Sequence, residues 1–410
     1  MSATIDLVIP DEWERRRLRF DASVNPVKSE LDREEDIEVS FVPMEAVGEF
    51  GDLELTRSKL ISDVYNGYTY FRDGDVCIAK ITPCFENGKG ALADGLLNGI
   101  AFGTTELHII RPSSEVDKKF LFYLTIAHDF RHLGESEMLG AGGQKRVPER
   151  FLKDWLPPLP PLDTQKRIAA FLDEKTAQID GLIAKKRELL ERLAEKRQAL
   201  ITQAVTKGLN PNAPLKPSGI DWLGDIPAHW EVVLLNRLIS MKSGDMISAK
   251  KINQDGRYPV FGGNGLRGYT DSFNTKNKIV LIGRQGAHCG NINITSEFAF
   301  VTEHALRCIT NMPINLEWLA AVLEVMRLGD HSVSAAQPGL SVDRLNMLRT
   351  VCVSLNEKNG IALYITESLK QELAIKAQIQ KSIDLLTEYR SALITAAVTG
   401  QIDLERGQIC

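Results

Sequence analysis

The sequence predicts an α+β protein in which two mixed regions of short strands and a few helices alternate with two long helices. Three observations predict it. A stretch of about forty residues recurs later in the chain at a fixed offset. Both copies carry apolar residues at helical spacing. The regions between them hold short β-patterned runs broken by glycine-rich turns.

The duplication carries the architecture. Ala199-Leu200-Ile201-Thr202, followed by Gln203-Ala204-Val205-Thr206, returns 193 residues later as Ala392-Leu393-Ile394-Thr395, followed by Ala396-Ala397-Val398-Thr399. The same offset holds upstream without a gap. Arg197 meets Arg390, Leu193 meets Leu386, Ile168 meets Ile361, Leu162 meets Leu355 and Gln144 meets Gln337. The starts of the two halves also match, at a different offset: Pro10 and Trp13 in IPDEWERRRL correspond to Pro227 and Trp230 in IPAHWEVVLL.

The first helix is expected from about Asp163 to Lys207. Ile168, Leu172, Ile179, Leu182, Leu189, Leu193 and Leu200 recur in threes and fours, with charged residues between them. The proline run before it cannot be helical, so Asp163 reads as an N-cap. Gly208 and Pro211 stop it. The second helix is expected from about Asn356 to Thr399, with Ile361, Ile365, Leu369, Ile375, Ile379, Leu386 and Leu393 on one stripe and Gly400 at its end. Forty-odd residues make a rod of roughly 65 Å. Such a rod needs a partner for its stripe. The two helices either pack each on its own domain or pair with each other antiparallel. Pairing would relate the halves by a pseudo-twofold axis, with the variable regions at opposite ends of the rod. Residues 208–227, rich in Pro, Gly and Asn, mark a boundary.

In the first variable region Gly74–Thr82 and Glu106–Pro112 read as strands and Lys118–Phe130 as a helix. In the second, Lys278–Arg284 and Ala305–Ile309 read as strands and Leu316–Met326 as a helix.

Composition narrows the function. The chain has 410 residues, 43% hydrophobic and 25% charged, ordinary for a globular protein of two or three domains. No apolar run is long enough to span a bilayer, and Met1 to Pro10 does not read as a secretory leader, so a cytoplasmic protein with no membrane partner is expected. Six scattered cysteines, with no C-x-x-C pair, fit a reducing cytosol better than a zinc ribbon or a disulfide scaffold. The net charge of −5 counts mildly against nucleic-acid binding, unless basic residues gather on one face. There is no G-x-x-x-x-G-K-[ST] loop, no (N/D)PP(Y/F) motif and no glycine-rich strand–helix loop for a methyl donor, so no catalytic residue and no cofactor are expected.

Two stretches carry a family resemblance. Tyr258–Thr270, YPVFGGNGLRGYT, and the strand Gly74–Ile81 resemble the target-recognition domains of Type I restriction–modification specificity (S) subunits. Gly140–Lys175 is similar to that family's junction into its first long helix, with Thr164-Gln165 where Glu-Gln is usual. The second junction, VCVSLNEKNGIALYI, lacks the proline run. The resemblance spans essentially the whole chain. It implies two pseudo-twofold-related α+β target-recognition domains separated by an antiparallel coiled coil of two long helices. The expected boundaries are domain 1 at 1–155, helix 1 at 156–208, a linker at 209–226, domain 2 at 227–350, helix 2 at 351–400 and a tail at 401–410. It implies double-stranded DNA with a bipartite target as ligand, one half-site per domain, the coiled coil setting the spacing. It also implies two modification (methyltransferase) subunits and restriction/translocase subunits as partners, which would hold the chemistry. Competing readings are the recognition portion of a fused restriction–modification enzyme and a coiled-coil scaffold with no DNA role.

Reading base edges needs Arg, Lys, Asn, Gln, Ser or Thr on reachable loops. The candidates are Lys80, Thr82, Lys89, Lys145 and Arg146 in the first region, and Asn264, Arg267, Tyr269, Arg284, Gln285 and His288 in the second. Each reads equally well as a solvated loop side chain. Gly262, Gly263 and Gly265 let backbone approach a ligand closely, and Gly142, Gly143 and Gln144 form either a turn at the DNA or a structural junction. His128 and His132 have the i, i+4 spacing of zinc ligands, but HDFRH lacks the HExxH glutamate and a third ligand, so no metal is expected. Lys185-Lys186-Arg187 reads as a solvated helix face, with a phosphate contact as the alternative.

Overall fold

The computed structural model describes residues 9–31, 37–141, 143–332, 339–403 and 408–409. Gly142, Gln337, Cys410 and the first eight residues lie outside the described residues. The chain forms two compact units. One joins Met1–Lys186 to Lys381–Cys410; the other is the contiguous segment Arg187–Gln380.

In the first unit, strands β1 (Ala22–Val24), β2 (Glu38–Val42), β3 (Ser58–Leu60), β4 (Thr69–Arg72), β5 (Val76–Ala79), β6 (Gly90–Leu92), β7 (Ile100–Gly103) and β8 (Leu107–Pro112) build two sheets. Their orders are β1-β8-β5-β6 and β3-β2-β7-β4. β2 and β7 are parallel; the other pairings are antiparallel. β5 is a run of four buried residues, as expected of a strand covered on both faces. Two helices follow, α1 (Lys118–Ile126) and α2 (His128–Ser136). Asp117 caps α1 by accepting from the amides of Lys119 and Phe120. A single helix was expected over Lys118–Phe130, but Ala127 is extended, with ψ 145°, and divides it.

The second unit repeats this plan. β9 (Ile239–Ser243), β10 (Tyr258–Gly262), β11 (Gly265–Thr270), β12 (Val280–Gly283), β13 (Ile292–Ile294), β14 (Phe300–Val301) and β15 (Ala305–Thr310) form sheets ordered β9-β15-β12-β13 and β11-β10-β14. The parallel pair β10–β14 corresponds to β2–β7. Helix α4 (Leu316–Val325) takes the place of α1. The core of this unit gathers Trp230, Trp318, Leu323 and Ile282 in one buried cluster.

Two long helices, α3 (Leu162–Lys207) and α5 (Leu355–Val398), each run through both units. Their 46 and 44 residues correspond to roughly 69 and 66 Å. In the first unit Arg390 of α5 donates two bonds to the Asp180 carboxylate of α3. In the second, Ile201, Ala204 and Val205 share one core with Ile361, Ala362 and Ile365. The partner number falls as the other rises, so the helices are antiparallel.

Two details depart from the sequence reading. α3 begins at Leu162, so Asp163 lies in its first turn, where its charge suits the helix dipole, rather than at the cap. Leu182 and Leu189 are 50% and 46% exposed, whereas Ile183 is buried and Leu190 half-buried. A strict 3.5 spacing drifts off the buried face of a 3.6-residue helix within a few turns.

The repeated Pro and Trp now have a structural meaning. Gly208, at φ +74°, ends α3 against the Trp230 ring, and Gly400, at φ +76°, ends α5 against Pro10 and Trp13. A Cβ at Gly400 would stand 2.5 Å from the Pro10 ring. Each domain therefore seats its first residues on the end of the long helix that follows the other domain.

Candidate nucleic-acid interface

The first unit collects its candidates where β5 leaves the sheet. The amide and hydroxyl of Thr82 bond the backbone of Lys145 at 3.0–3.1 Å. The Val147 amide donates to the Lys80 carbonyl. Lys80, Thr82, Lys145 and Arg146 thus form one patch although 63 residues separate Thr82 from Lys145. Their side chains differ in availability. Lys145 is exposed, and among the described residues its ammonium has no partner. Arg146 is held by Glu106 through bonds of 2.9 and 2.8 Å, which keep the Glu106 carboxyl below the usual carboxylate range. Lys89 donates to the Met44 carbonyl at 3.2 Å. Lys80 also lines a groove of about 670 Å³ with Asn25, Lys28, Tyr65, Asn66 and Tyr68, which the sequence did not single out.

The loop between β5 and β6, Lys80–Gly90, is anchored on α2. Arg131 is buried, and its guanidinium donates to the carbonyls of Phe85 and Gly88 at 3.1 and 3.2 Å. It lies over the Phe85 ring at 4.7 Å. No carboxylate among the described residues pairs with it, and burial alone pulls its pKa down to about 9. That still leaves it charged at neutral pH. Gly134 admits the Phe85 ring, since a Cβ there would lie 2.3 Å from it.

The second unit builds the corresponding place from a hairpin and a loop. β10 and β11 turn through Gly263 and Asn264, with Gly265 at φ +88°, a conformation glycine adopts without steric cost. The loop from β12 to β13, residues 284–291, lies against that turn, with a Cβ at Gly263 placed 3.9 Å from the Gln285 carbonyl oxygen. Asn291 donates to Asn264 at 2.9 Å and lies 3.5 Å from the His288 ring. Asn264, Gln285 and His288 are exposed around it. Arg284 is turned inward, bonding Ser243 at 3.2 Å. Arg267 is exposed on β11, its stem over Gly262, and Tyr269 is half-buried. Gly290 fixes the loop from below, where a Cβ would come within 2.2 Å of the Gly329 amide.

The rings of His128 and His132 stack at 5.9 Å. Among the described residues no three His, Cys, Asp or Glu side chains converge on a metal site. Among them, too, no helix is long and apolar enough to cross a membrane.

The fold therefore defines a duplicated α+β protein in which one strand-connecting loop per unit gathers polar side chains, threaded by paired long helices. Residues 10–192 and 227–385 match the family model of the Type I restriction modification DNA specificity domain, and the chain belongs to that family. The chain is 45% identical over 162 residues to the specificity subunit of the Escherichia coli Type I restriction enzyme EcoAI, a stretch covering 39% of this chain and 27% of that protein. It is 41% identical to the EcoEI specificity subunit of the same organism over 162 residues, again 39% and 27%. To the MjaVIII specificity subunit of Methanocaldococcus jannaschii it is 28% identical over 205 residues, covering 47% of this chain and 46% of that one. The chain thus spans well under two thirds of these relatives' lengths.

Among solved structures, a chain from a study of complex assembly and conformational transition in the type I R-M system superposes with a TM-score of 0.76. It is 18% identical, with 96% of this chain and 99% of that one covered. The HsdS subunit of Thermoanaerobacter tengcongensis gives 0.55 at 17% identity, covering 96% and 98%. Both likenesses concern the fold.

Proposed function

We propose that this chain is the DNA-reading subunit of a Type I restriction–modification complex. Each unit reads one half of a bipartite target, and the helices α3 and α5 set the spacing between the halves. The observation that carries this reading is the repetition of one sheet order with a polar, exposed loop at the same strand connection in both units. A duplicated frame with divergent loops suits two independent sequence readers on one scaffold.

In this reading base and phosphate contacts come from Lys80, Thr82, Lys89, Lys145 and Arg146 in the first unit. In the second they come from Asn264, Arg267, Tyr269, Arg284, Gln285 and His288. Lys145 and Arg267, exposed and unpaired among the described residues, suit phosphates or guanine; Asn264 and Gln285 suit adenine. The chain itself is non-catalytic and takes no cofactor. Two methyltransferase subunits and the restriction/translocase subunits supply the chemistry, in the cytoplasm. Exposed apolar residues on the long helices support such docking: Leu385 and Tyr389 in the first unit, Leu363 and Leu373 in the second.

The test is a methylation map of a host carrying the chain with its modification subunits. Exchanging residues 227–350 for those of another family member should change one half of the methylated sequence and leave the other intact. Simultaneous change of both halves, or methylation by the purified chain alone above a no-enzyme blank, would refute the reading.

A further inference from the structure

The buried Arg131 has no obvious need to be an arginine. A guanidinium taken from water without a carboxylate is costly, and a core position on α2 would be filled more stably by an apolar side chain. What it does instead is hold two carbonyls of one loop, Phe85 at 3.1 Å and Gly88 at 3.2 Å. The rigid fork of the guanidinium fixes both at once. Between the two clamped carbonyls lie Glu86 and Asn87. Both are exposed, and among the described residues neither side chain has an intramolecular partner. Lys89 tethers the far side of the loop to Met44.

This loop joins the third and fourth strands of the sheet β1-β8-β5-β6. The loop bearing Gln285 and His288 joins the third and fourth strands of β9-β15-β12-β13. The two anchors use different chemistry, a buried Arg in one and Gly290 against Gly329 in the other. Different anchors at one topological position point to a shared demand for a rigid loop. Glu and Asn are also the side chains suited to the major-groove edges of cytosine and adenine.

We propose that Glu86 and Asn87 are specificity-determining residues for the half-site read by the first unit, and that Arg131 is the positioning residue that holds them. The inference rests on the DNA reading above. It predicts that each side chain discriminates one base pair.

The experiment uses the full chain assembled with its modification subunits. The probes are duplexes carrying the sequence the unaltered complex methylates, and the set in which each base pair of that sequence is changed singly. Glu86→Ala and Asn87→Ala, on an exposed loop, should fold normally. Each should reduce discrimination at one position of one half-site by on the order of ten- to a hundredfold. Arg131→Lys keeps the charge but cannot span both carbonyls. Well below its thermal midpoint it should lower discrimination throughout that half-site and leave the other unchanged.

Full discrimination retained in both surface variants would overturn the inference. So would an Arg131→Lys complex weakened equally at both half-sites, which marks a purely structural residue. An unaltered complex that methylates no defined sequence would instead overturn the DNA reading, and the inference with it.

Discussion

Replacing Arg390 with methionine tests how the last part of α5 is held in the first unit. The Arg390 side chain is 7% exposed and donates to both oxygens of Asp180, at 3.0 and 3.2 Å. It also lies 4.8 Å from the centre of the Phe50 ring. A hydrogen bond to a charged group contributes about 1.5–3 kcal/mol. Asp180 is 45% exposed, so solvent screening places this pair near the lower end. The ring contact adds about 1 kcal/mol. Methionine fills much of the same volume, so little cavity cost is added. The sum is about 2–3 kcal/mol, a thirtyfold or greater loss of protection against local opening. Amide hydrogen exchange read by mass spectrometry should show it in residues 162–186 and 381–398, with the core of Arg187–Gln380 unaffected. Asp180→Asn, which keeps an acceptor but loses the charge, should cost less than half as much. A loss below about 0.5 kcal/mol for Arg390→Met, or equal losses in both units, would refute the assignment of this pair as the tie between the helices in the first unit.

Four further outcomes follow from the geometry. Burial lowers the His108 pKa below its usual 6.5, so the unfolded chain binds more protons in that window; stability is complete above about 6.5 and falls as pH drops through the folded value. Thermal scans of the first unit between pH 7.5 and 5.5 should show this, and His108→Gln should flatten the slope. Gly290→Ala sets a Cβ 2.2 Å from backbone at φ +90° and should cost about 3 kcal/mol or more, read as a lowered urea midpoint of the second unit. Lys145→Ala should leave stability unchanged and reduce the slope of log K against log salt for target DNA by about 1. Arg146→Ala should instead lower stability, because it strands Glu106; equal stability loss in the two variants would contradict the partner assignments.

The duplication made the element order, the helix extents and the strand–helix correspondence of the two halves legible. Periodicity failed where it was taken too strictly. Leu182 and Leu189 fit the spacing of threes and fours, but Ile179 and Ile183 are the buried positions and Leu190 is half-buried. Arg131 was invisible as an anchor, because a basic residue beside two histidines on a helix reads as solvated. Glu86 lay outside the residue types sought at base edges, and nothing in the local sequence set Asn87 apart from other polar loop residues. The pairing of Pro10 and Trp13 with Pro227 and Trp230 was visible, yet which glycine each pair meets is a tertiary fact. No local preference says that Gly400 closes on Pro10.

The interleaving of the units has a consequence for synthesis. The unit spanning Arg187–Gln380 is one uninterrupted stretch, so all of it is available before the ribosome makes the rest of α5. The first unit, though its sheets emerge earlier, lacks the stretch from Lys381 onward, including Leu393, Ile394 and Arg390. Domains that fold during translation ordinarily do so from the N-terminus. The sheets of the first unit have cores of their own, from Val39 to Ile109, but its share of α3 lacks the last part of α5 until the chain is nearly finished. A premature stop shortly after Gln380 would thus spare the unit next to it in sequence and leave the first unit without its share of α5.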